Sequence, residues 1–195
     1  MHSRCQPPNG ELKDGACSDR WLKPNYYREY LDMSRFGTAD IKERLLGAAV
    51  YLFAIYDAIF IGQQLPLQIP ALAPMFELLL LFVSPITYIY GIFNSIIPLG
   101  FGSFVIFIIL FVAVVRNEKV AYFIRFNTLQ SILFGIAVSL ISIIFGTIGG
   151  LAIIGGFVFV IVTGASLYCI AECLMGRYPE IPTVSAAAYS QLPRY

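Results

Sequence analysis

Residues 45–65 read LLGAAVYLFAIYDAIFIGQQL, and the only charge in this stretch belongs to Asp57. About 20 mainly apolar residues are enough for a helix to cross the hydrocarbon of a bilayer. Hydrocarbon offers no hydrogen-bond partners to backbone N–H and C=O groups, so a segment within it must pair these groups internally. The stretch is therefore predicted to be a transmembrane α-helix.

The remainder of the chain is similarly apolar. Hydrophobic residues make up 58% of the sequence and charged residues 13%, against about 25% charged residues in a typical soluble domain. Four more apolar stretches follow the first: Ala71–Phe93, Pro98–Val115, Phe126–Gly146 and Ile148–Met175. They lack the alternation of apolar and polar residues that a membrane β-barrel requires. The predicted fold is an all-α, polytopic membrane helical bundle, and its net charge of +1 argues against nucleic acid as a partner.

Three parts of unequal length are predicted along the chain. Residues 1–40 form a soluble N-terminal tail without a recognisable secretory signal. Within this tail Tyr26–Met33 is amphipathic and suits a short helix at the lipid headgroups or an ordinary tail helix. Residues 41–175 form the membrane bundle, and residues 176–195 form a short C-terminal tail. Asp40 and Glu43 have the spacing of a capping box, which predicts the start of the first helix.

The basic residues of the loops predict the topology. They cluster before the first apolar stretch, between Arg116 and Arg125, and in the C-terminal tail, whereas the other loops carry none. By the positive-inside rule, these three segments and both chain ends lie on one cytoplasm-like side of the membrane. An even number of spans must then separate Arg44 from Arg116, although three apolar stretches lie between them.

Ala71–Phe93 is the stretch that is expected not to cross the membrane. Glu77 and Pro85 disfavour a membrane helix, while Tyr88 and Tyr90 are typical of the membrane–water interface. The prediction is therefore four transmembrane helices plus one interfacial or re-entrant helix, with five spans as the alternative.

Asp57 and Glu77 are carboxylates within apolar stretches. A charge in hydrocarbon is costly, so each is a functional hypothesis, against the alternatives that it is neutralised, paired or nearer to the surface. Neither belongs to a recognisable catalytic motif, and no enzyme activity is expected. With one histidine and four dispersed cysteines, the sequence also predicts no metal and no cofactor.

A polar motif made of Arg125, Asn127 and Gln130 stands where the fourth stretch enters the membrane. Asn127 and Gln130 share a helix face. They suit a clamp between helices, with Arg125 reaching for headgroups, or a polar vestibule facing a passing substrate. Small residues continue this face: Ser131, Gly135, Ser139, Ser142 and Gly146. A second small stripe occupies the last stretch: Ala152, Gly156, Val160 and Gly164. The two stripes predict an antiparallel hairpin of these helices.

Three sequence blocks carry a family resemblance. They are ADIKERLL at 39–46, VRN at 115–117 with FIRFNTLQ at 123–130, and GRYPEIP at 176–182. In these blocks the sequence resembles the family of the twenty-kilodalton subunit of the translocon at the inner chloroplast envelope (Tic), which includes cyanobacterial and plastid-encoded relatives. The resemblance covers about residues 39–190 and implies four transmembrane helices with both ends on the stromal side.

The resemblance implies a function in protein import. Such a subunit would help preproteins cross the inner envelope, with other translocon subunits and membrane lipids around it, or would have a related function in a cyanobacterial membrane. Two other functions stay open from the residues alone. One is a structural accessory subunit of another membrane complex, for example a photosynthetic one. The other is a small-solute channel or transporter that uses Asp57 or Glu77.

The resemblance also implies roles for particular residues. Arg125, Asn127 and Gln130 would be the polar motif of the family. The stromal C-terminal motif would comprise Arg177, Tyr178, Pro179, Glu180 and Pro182. No catalytic residue is implied.

Overall fold

The computed structural model describes residues 39–97, 101–148 and 151–192, and all regular structure within these ranges is helical. In chain order the helices are α1 Ile41–Ala49, α2 Tyr51–Gly62, α3 Leu65–Gln68, α4 Ala73–Ile96, α5 Gly102–Leu110, α6 Tyr122–Ile148, α7 Leu151–Leu174 and α8 Val184–Gln191. A 3-10 turn at Pro70–Leu72 precedes α4, and a π-helical turn at Phe111–Val115 continues α5. The helix predicted at Tyr26–Met33, like the tail up to residue 38, lies outside the described residues.

The first helix begins where the sequence predicted. The Asp40 carboxylate accepts a hydrogen bond from the N–H of Ile41 at 2.8 Å, and Glu43 accepts one from the N–H of Asp40 at 3.2 Å. The Asp40 side chain also accepts from the backbone N–H of Glu43, so both reciprocal bonds of a capping box are present and that prediction is confirmed. α1 and α2 follow one another directly and together form a candidate span, Ile41–Gly62.

The number of long apolar helices also agrees with the sequence. Four described helices are long and apolar enough to cross a membrane: Ile41–Gly62, Pro70–Ile96, Tyr122–Phe145 and Ile154–Leu174. Gly102–Val115 is a shorter apolar helix; it rises about 21 Å, against about 30 Å of hydrocarbon. The all-α bundle of four candidate spans plus a shorter helix is confirmed. The sequence prediction was wrong, on length and composition, in naming Ala71–Phe93 rather than Gly102–Val115 as the exception.

Pro85 misled that prediction because α4 accommodates it. Proline has no N–H, so the carbonyl of Leu81 loses its usual helical donor. The hydroxyl of Ser84 donates to this carbonyl at 2.8 Å, and the hydroxyl of Thr87 donates to the carbonyl of Val83 at 3.2 Å. Hydroxyl groups thus satisfy the backbone near the proline. As a result, α4 runs uninterrupted for 24 residues.

α2 lies at the centre of the bundle and packs against α4, α6 and α7. Its contact with α7 is close because glycines stand at the crossing. A Cβ added to Gly155 would touch the backbone carbonyl of Ile61, and one added to Gly62 would come within 2.5 Å of the Cβ of Phe159. The two backbones therefore approach each other without intervening side chains, as small residues permit in membrane helices.

The small stripe of α6 faces the first span. The hydroxyl of Ser131 donates to the carbonyl of Val50 at 2.6 Å, and a Cβ on Gly135 would lie 2.8 Å from Oδ2 of Asp57. On α7, by contrast, a Cβ on Gly164 would have nothing within 4 Å. α6 and α7 contact each other, as expected for the predicted hairpin, although Gly135 of the α6 stripe faces Asp57 of α2 rather than α7.

Candidate functional site

A group of buried polar side chains joins four helices at one end of the bundle. This amide cluster consists of Tyr51 on α2, Asn127 and Gln130 on α6, Cys173 on α7 and Ser185 on α8. Ser185 is 7% exposed and the other four side chains are fully buried. Such burial is tolerated only where polar groups find hydrogen-bond partners.

The amide nitrogens of the cluster donate to carbonyl and hydroxyl groups. Nδ2 of Asn127 donates to the carbonyl of Phe123, one turn back on α6, at 2.7 Å. Nε2 of Gln130 donates to the carbonyl of Pro179 at 3.1 Å and to the hydroxyl of Ser185 at 2.8 Å. These acceptors define which end of each amide is the nitrogen. Gln130 thereby connects α6 with the segment that follows α7.

The amide oxygens both face the hydroxyl of Tyr51. This hydroxyl lies 2.9 Å from Oδ1 of Asn127 and 2.8 Å from Oε1 of Gln130. A phenol has one proton and can donate it to one acceptor at a time. The thiol of Cys173 donates to Oδ1 of Asn127 at 3.1 Å, which leaves the Tyr51 proton available to Gln130. Both amides are therefore satisfied inside the protein.

The C-terminal motif folds back onto this cluster. The ring of Tyr178 packs edge-on against Phe123 and Phe126, with centroids 5.1 and 5.4 Å apart. The hydroxyl of Ser185 accepts a hydrogen bond from the N–H of Ile181 at 2.7 Å. Edge-to-face rings typically contribute about 0.5–1.5 kcal/mol beyond the area they bury. Tyr178 therefore helps to hold the motif against the start of α6.

Pro179 of the motif is fully buried, whereas its other members lie nearer to the surface. Arg177 and Pro182 are exposed. Glu180 is half-buried, and this burial raises the pKa of its carboxyl group above the usual value. Gly176, with φ +76°, turns the chain after α7, and a Cβ on it would lie 2.8 Å from Nε of Arg44. A glycine suits this position because its backbone is left-handed and a guanidinium lies close to it.

Arg125 is directed into the protein rather than towards headgroups. It is only 7% exposed, and its Nε donates to the carbonyl of Val115 at 2.8 Å. Val115 ends the helical segment that follows α5, where carbonyl groups lack helical donors. Arg125 therefore ties the end of that segment to α6.

Asp57 lies in the wall of a cavity of about 450 Å³, formed by residues of α2, α4, α5 and α6 and here named the acidic cavity. Its Oδ1 accepts a hydrogen bond from the hydroxyl of Tyr90 at 3.3 Å, and its Oδ2 faces Gly135. Glu77 is exposed on the second turn of α4 and does not line this cavity. The structure thus separates the two carboxylates that the sequence singled out.

The family described as "Chloroplast import apparatus Tic20-like" matches residues 38–188. The chain belongs to this family. A Tic20 family protein of Synechocystis sp. is 38% identical over 82% of this chain and 99% of its own length. Two Arabidopsis thaliana proteins are also similar. Protein TIC 20-II, chloroplastic, is 31% identical over 77% of this chain and 72% of its own length. Protein TIC 20-v, chloroplastic, is 27% identical over 80% and 73%. No solved structure matches the chain at a significant level.

The Tic20-like segment contains both sites. The amide cluster, the acidic cavity and the three blocks that suggested the family all lie within residues 38–188. The family resemblance is therefore confirmed, and the four candidate spans agree with a multi-pass membrane protein.

Three members of the amide cluster were missed from the sequence: Tyr51, Cys173 and Ser185. Tyr51 had a usable signal, because a buried tyrosine hydroxyl normally requires a partner and this one lies within an apolar stretch. Cys173 and Ser185 had none, since both are small residues without a distinctive pattern. Within the ranges that the structure describes, no three His, Cys, Asp or Glu side chains are grouped to hold a metal ion.

Proposed function

We propose that this chain is a membrane subunit of a protein-import translocon and helps preproteins to cross the chloroplast inner envelope, or has the related function in a cyanobacterial membrane. The match to the Tic20-like import family over residues 38–188 carries this proposal. Other translocon subunits and preprotein clients would be its partners, and lipids would surround its spans. Its contribution would be structural and transport-related rather than catalytic.

Within this function, the amide cluster would act as a clamp rather than as a vestibule for the substrate. Asn127 and Gln130 are fully buried, and their polar atoms are taken up by partners in the same chain. A surface that a passing polypeptide touches needs open polar groups, because buried ones are already desolvated and paired. A preprotein would therefore contact other parts of the bundle.

Crosslinking to a stalled preprotein tests the proposed function. A photoreactive amino acid would replace Phe104, at the acidic cavity, or Phe157, on the exposed surface of α7. We expect an adduct with the preprotein from at least one position, and none when the preprotein lacks its targeting segment. The proposal would be overturned if neither position gave an adduct while other translocon subunits in the same membranes did.

We also propose that both chain ends and the loop between Arg116 and Arg125, here named the basic loop, face the stromal or cytoplasmic side of the membrane. Contacts between the start of the first span, the start of α6 and the segment after α7 support this orientation. A Cβ on Gly47 of α1 would lie 2.8 Å from the ring of Phe123 at the start of α6, and Gly176 after α7 lies against Arg44. The segments that carry the basic residues are therefore neighbours at one end of the bundle, as the positive-inside rule requires.

Cysteine labelling in sealed vesicles tests this orientation. Lys119→Cys lies in the basic loop, and Leu67→Cys lies in the exposed connection between the first two candidate spans. With Cys5 and Cys17 changed to serine, a membrane-impermeant thiol reagent on the stromal or cytoplasmic side should modify Lys119→Cys and not Leu67→Cys. Reagent on the other side should give the reverse pattern. Modification of both positions from one side would contradict the proposed orientation.

Affinity purification in mild detergent separates this function from that of an accessory subunit of another complex. Import-translocon subunits should be the companions that co-purify with the chain. Recovery of a photosynthetic complex in their place would favour the accessory function. The measurement is the identity of the co-purifying proteins by mass spectrometry, compared with membranes that contain the untagged chain.

A further inference from the structure

The acidic cavity has the features of a small-molecule ligand site. We propose that it binds an amphiphilic organic cation, in which an ammonium or guanidinium group pairs with Asp57 and an apolar body fills the space between α5 and α6. The cavity volume of about 450 Å³ falls within the roughly 300–1,000 Å³ of small-molecule sites. The proposal is independent of the proposed import function.

The carboxylate of Asp57 is oriented with one oxygen free for a ligand. The hydroxyl of Tyr90 donates to Oδ1 at 3.3 Å. Oδ2 faces the open side of Gly135, where the lack of a side chain leaves room for it, and makes no hydrogen bond to any residue in the described ranges. An acceptor of this kind, held in place by a neighbour, suits a donor that arrives from the cavity.

The cavity walls supply no positive charge. None of the residues that line it is lysine, arginine or histidine. A carboxylate within a membrane bundle is stabilised by a nearby cation, because an unpaired charge in an apolar environment is costly. A ligand cation would therefore provide the charge partner that the walls lack.

Aromatic rings add a second element of cation recognition. Phe53, Tyr90, Phe104 and Phe107 contribute to the walls around the carboxylate. A cation over the face of an aromatic ring gains about 0.5–2 kcal/mol, more when it is desolvated. Carboxylate and rings together favour an organic cation over a hydrated metal ion, which prefers several oxygen ligands.

The position of the cavity's opening is the reason that the ligand is expected to have an apolar body. Exposed residues border the cavity on both sides, with Ser103 and Phe104 on α5 and Ser139 and Leu140 on α6. Ser139 lies within the candidate span Tyr122–Phe145, which places this opening at the depth of the membrane. A ligand that enters here must partition into the membrane, which requires apolar surface beside its charge.

Direct binding to the purified full chain tests the proposal. The probe is phenethylammonium, titrated into the protein in uncharged maltoside micelles and followed by calorimetry, with phenethyl alcohol as the uncharged analogue. We expect saturable binding of the cation to the wild type and at least tenfold weaker binding to Asp57→Asn. The alcohol should bind both proteins with equal affinity.

Two further variants keep the test independent of folding defects. Glu77→Gln removes an exposed carboxylate outside the cavity and should leave binding unchanged. Ser139→Phe places a ring at the α6 border of the cavity, one helical turn from Gly135, and should weaken binding of both probes. The proposal is overturned if phenethylammonium does not bind saturably, if Asp57→Asn binds it as well as the wild type, or if Glu77→Gln loses as much affinity as Asp57→Asn.

A cationic group joined to apolar carbon occurs both in free amphiphilic amines and in the basic side chains of a polypeptide. A capped Phe-Lys-Phe peptide, compared with its norleucine analogue, distinguishes these sources. Preferential binding of the lysine peptide would extend the site to polypeptide side chains. Binding of phenethylammonium without binding of the peptide would restrict it to free amphiphilic amines. Either result supports a cation site at Asp57.

Discussion

Replacing Gln130 by leucine is expected to lower the free energy of unfolding by about 2–4 kcal/mol. Leucine has a similar volume but removes the donor to Pro179 and Ser185 and the acceptor that faces Tyr51. These groups remain buried, and each unsatisfied buried group costs about 1–3 kcal/mol, part of which relaxation recovers. Denaturation in detergent micelles, followed by circular dichroism, measures the change.

A matched variant separates this effect from the loss of any glutamine. Gln191 is exposed on α8, and Gln191→Leu should change stability by less than about 0.5 kcal/mol. Because Gln130 also holds the segment after α7, Gln130→Leu should speed tryptic cleavage at the exposed Arg177. Wild-type stability with unchanged cleavage in Gln130→Leu would contradict the clamp.

Gly155→Ala is expected to destabilise the protein by about 2–3 kcal/mol, at the upper end of overpacking effects. The added methyl group would meet the backbone carbonyl of Ile61 on α2, which is part of a helix and cannot rotate away as a side chain does. α2 and α7 would have to separate along their contact. Thermal denaturation of the purified variant measures the loss.

Gly164→Ala on the same helix supplies the control with the opposite expectation. Nothing lies within 4 Å of a Cβ at this position. Alanine has a higher helix propensity than glycine by up to about 1 kcal/mol, so the variant should be as stable as the wild type or more stable. Equal losses in Gly155→Ala and Gly164→Ala would show that the α2–α7 contact is not the cause.

The helical elements were largely predictable because their causes are local. Apolar composition over about 20 consecutive residues and the capping box at Asp40 and Glu43 depend on neighbours in the chain. The same local reasoning misjudged Ala71–Phe93. It counted Pro85 as a breaker and could not anticipate that the hydroxyl of Ser84 would take over the carbonyl that the proline leaves free.

The functional site was only half predictable. Asn127 and Gln130 were recognisable as polar residues on one helix face, and Asp57 as a charge in an apolar stretch. Their partners were not recognisable, because Gln130 meets Tyr51 across 79 residues and Ser185 across 55 residues of sequence. The contact between α6 and α7 was predictable from the two small stripes, but the packing of α2 against both helices was not.

Consecutive residues alone thus specify a multi-pass helical membrane protein, since hydropathy and helical hydrogen bonding act within a segment. Helix packing decides the rest: the closure of the amide cluster around Tyr51, the return of the C-terminal motif onto α6, and the enclosure of Asp57 with Tyr90 and Gly135. A buried polar group is stable only with partners, and distant segments of the chain provide them.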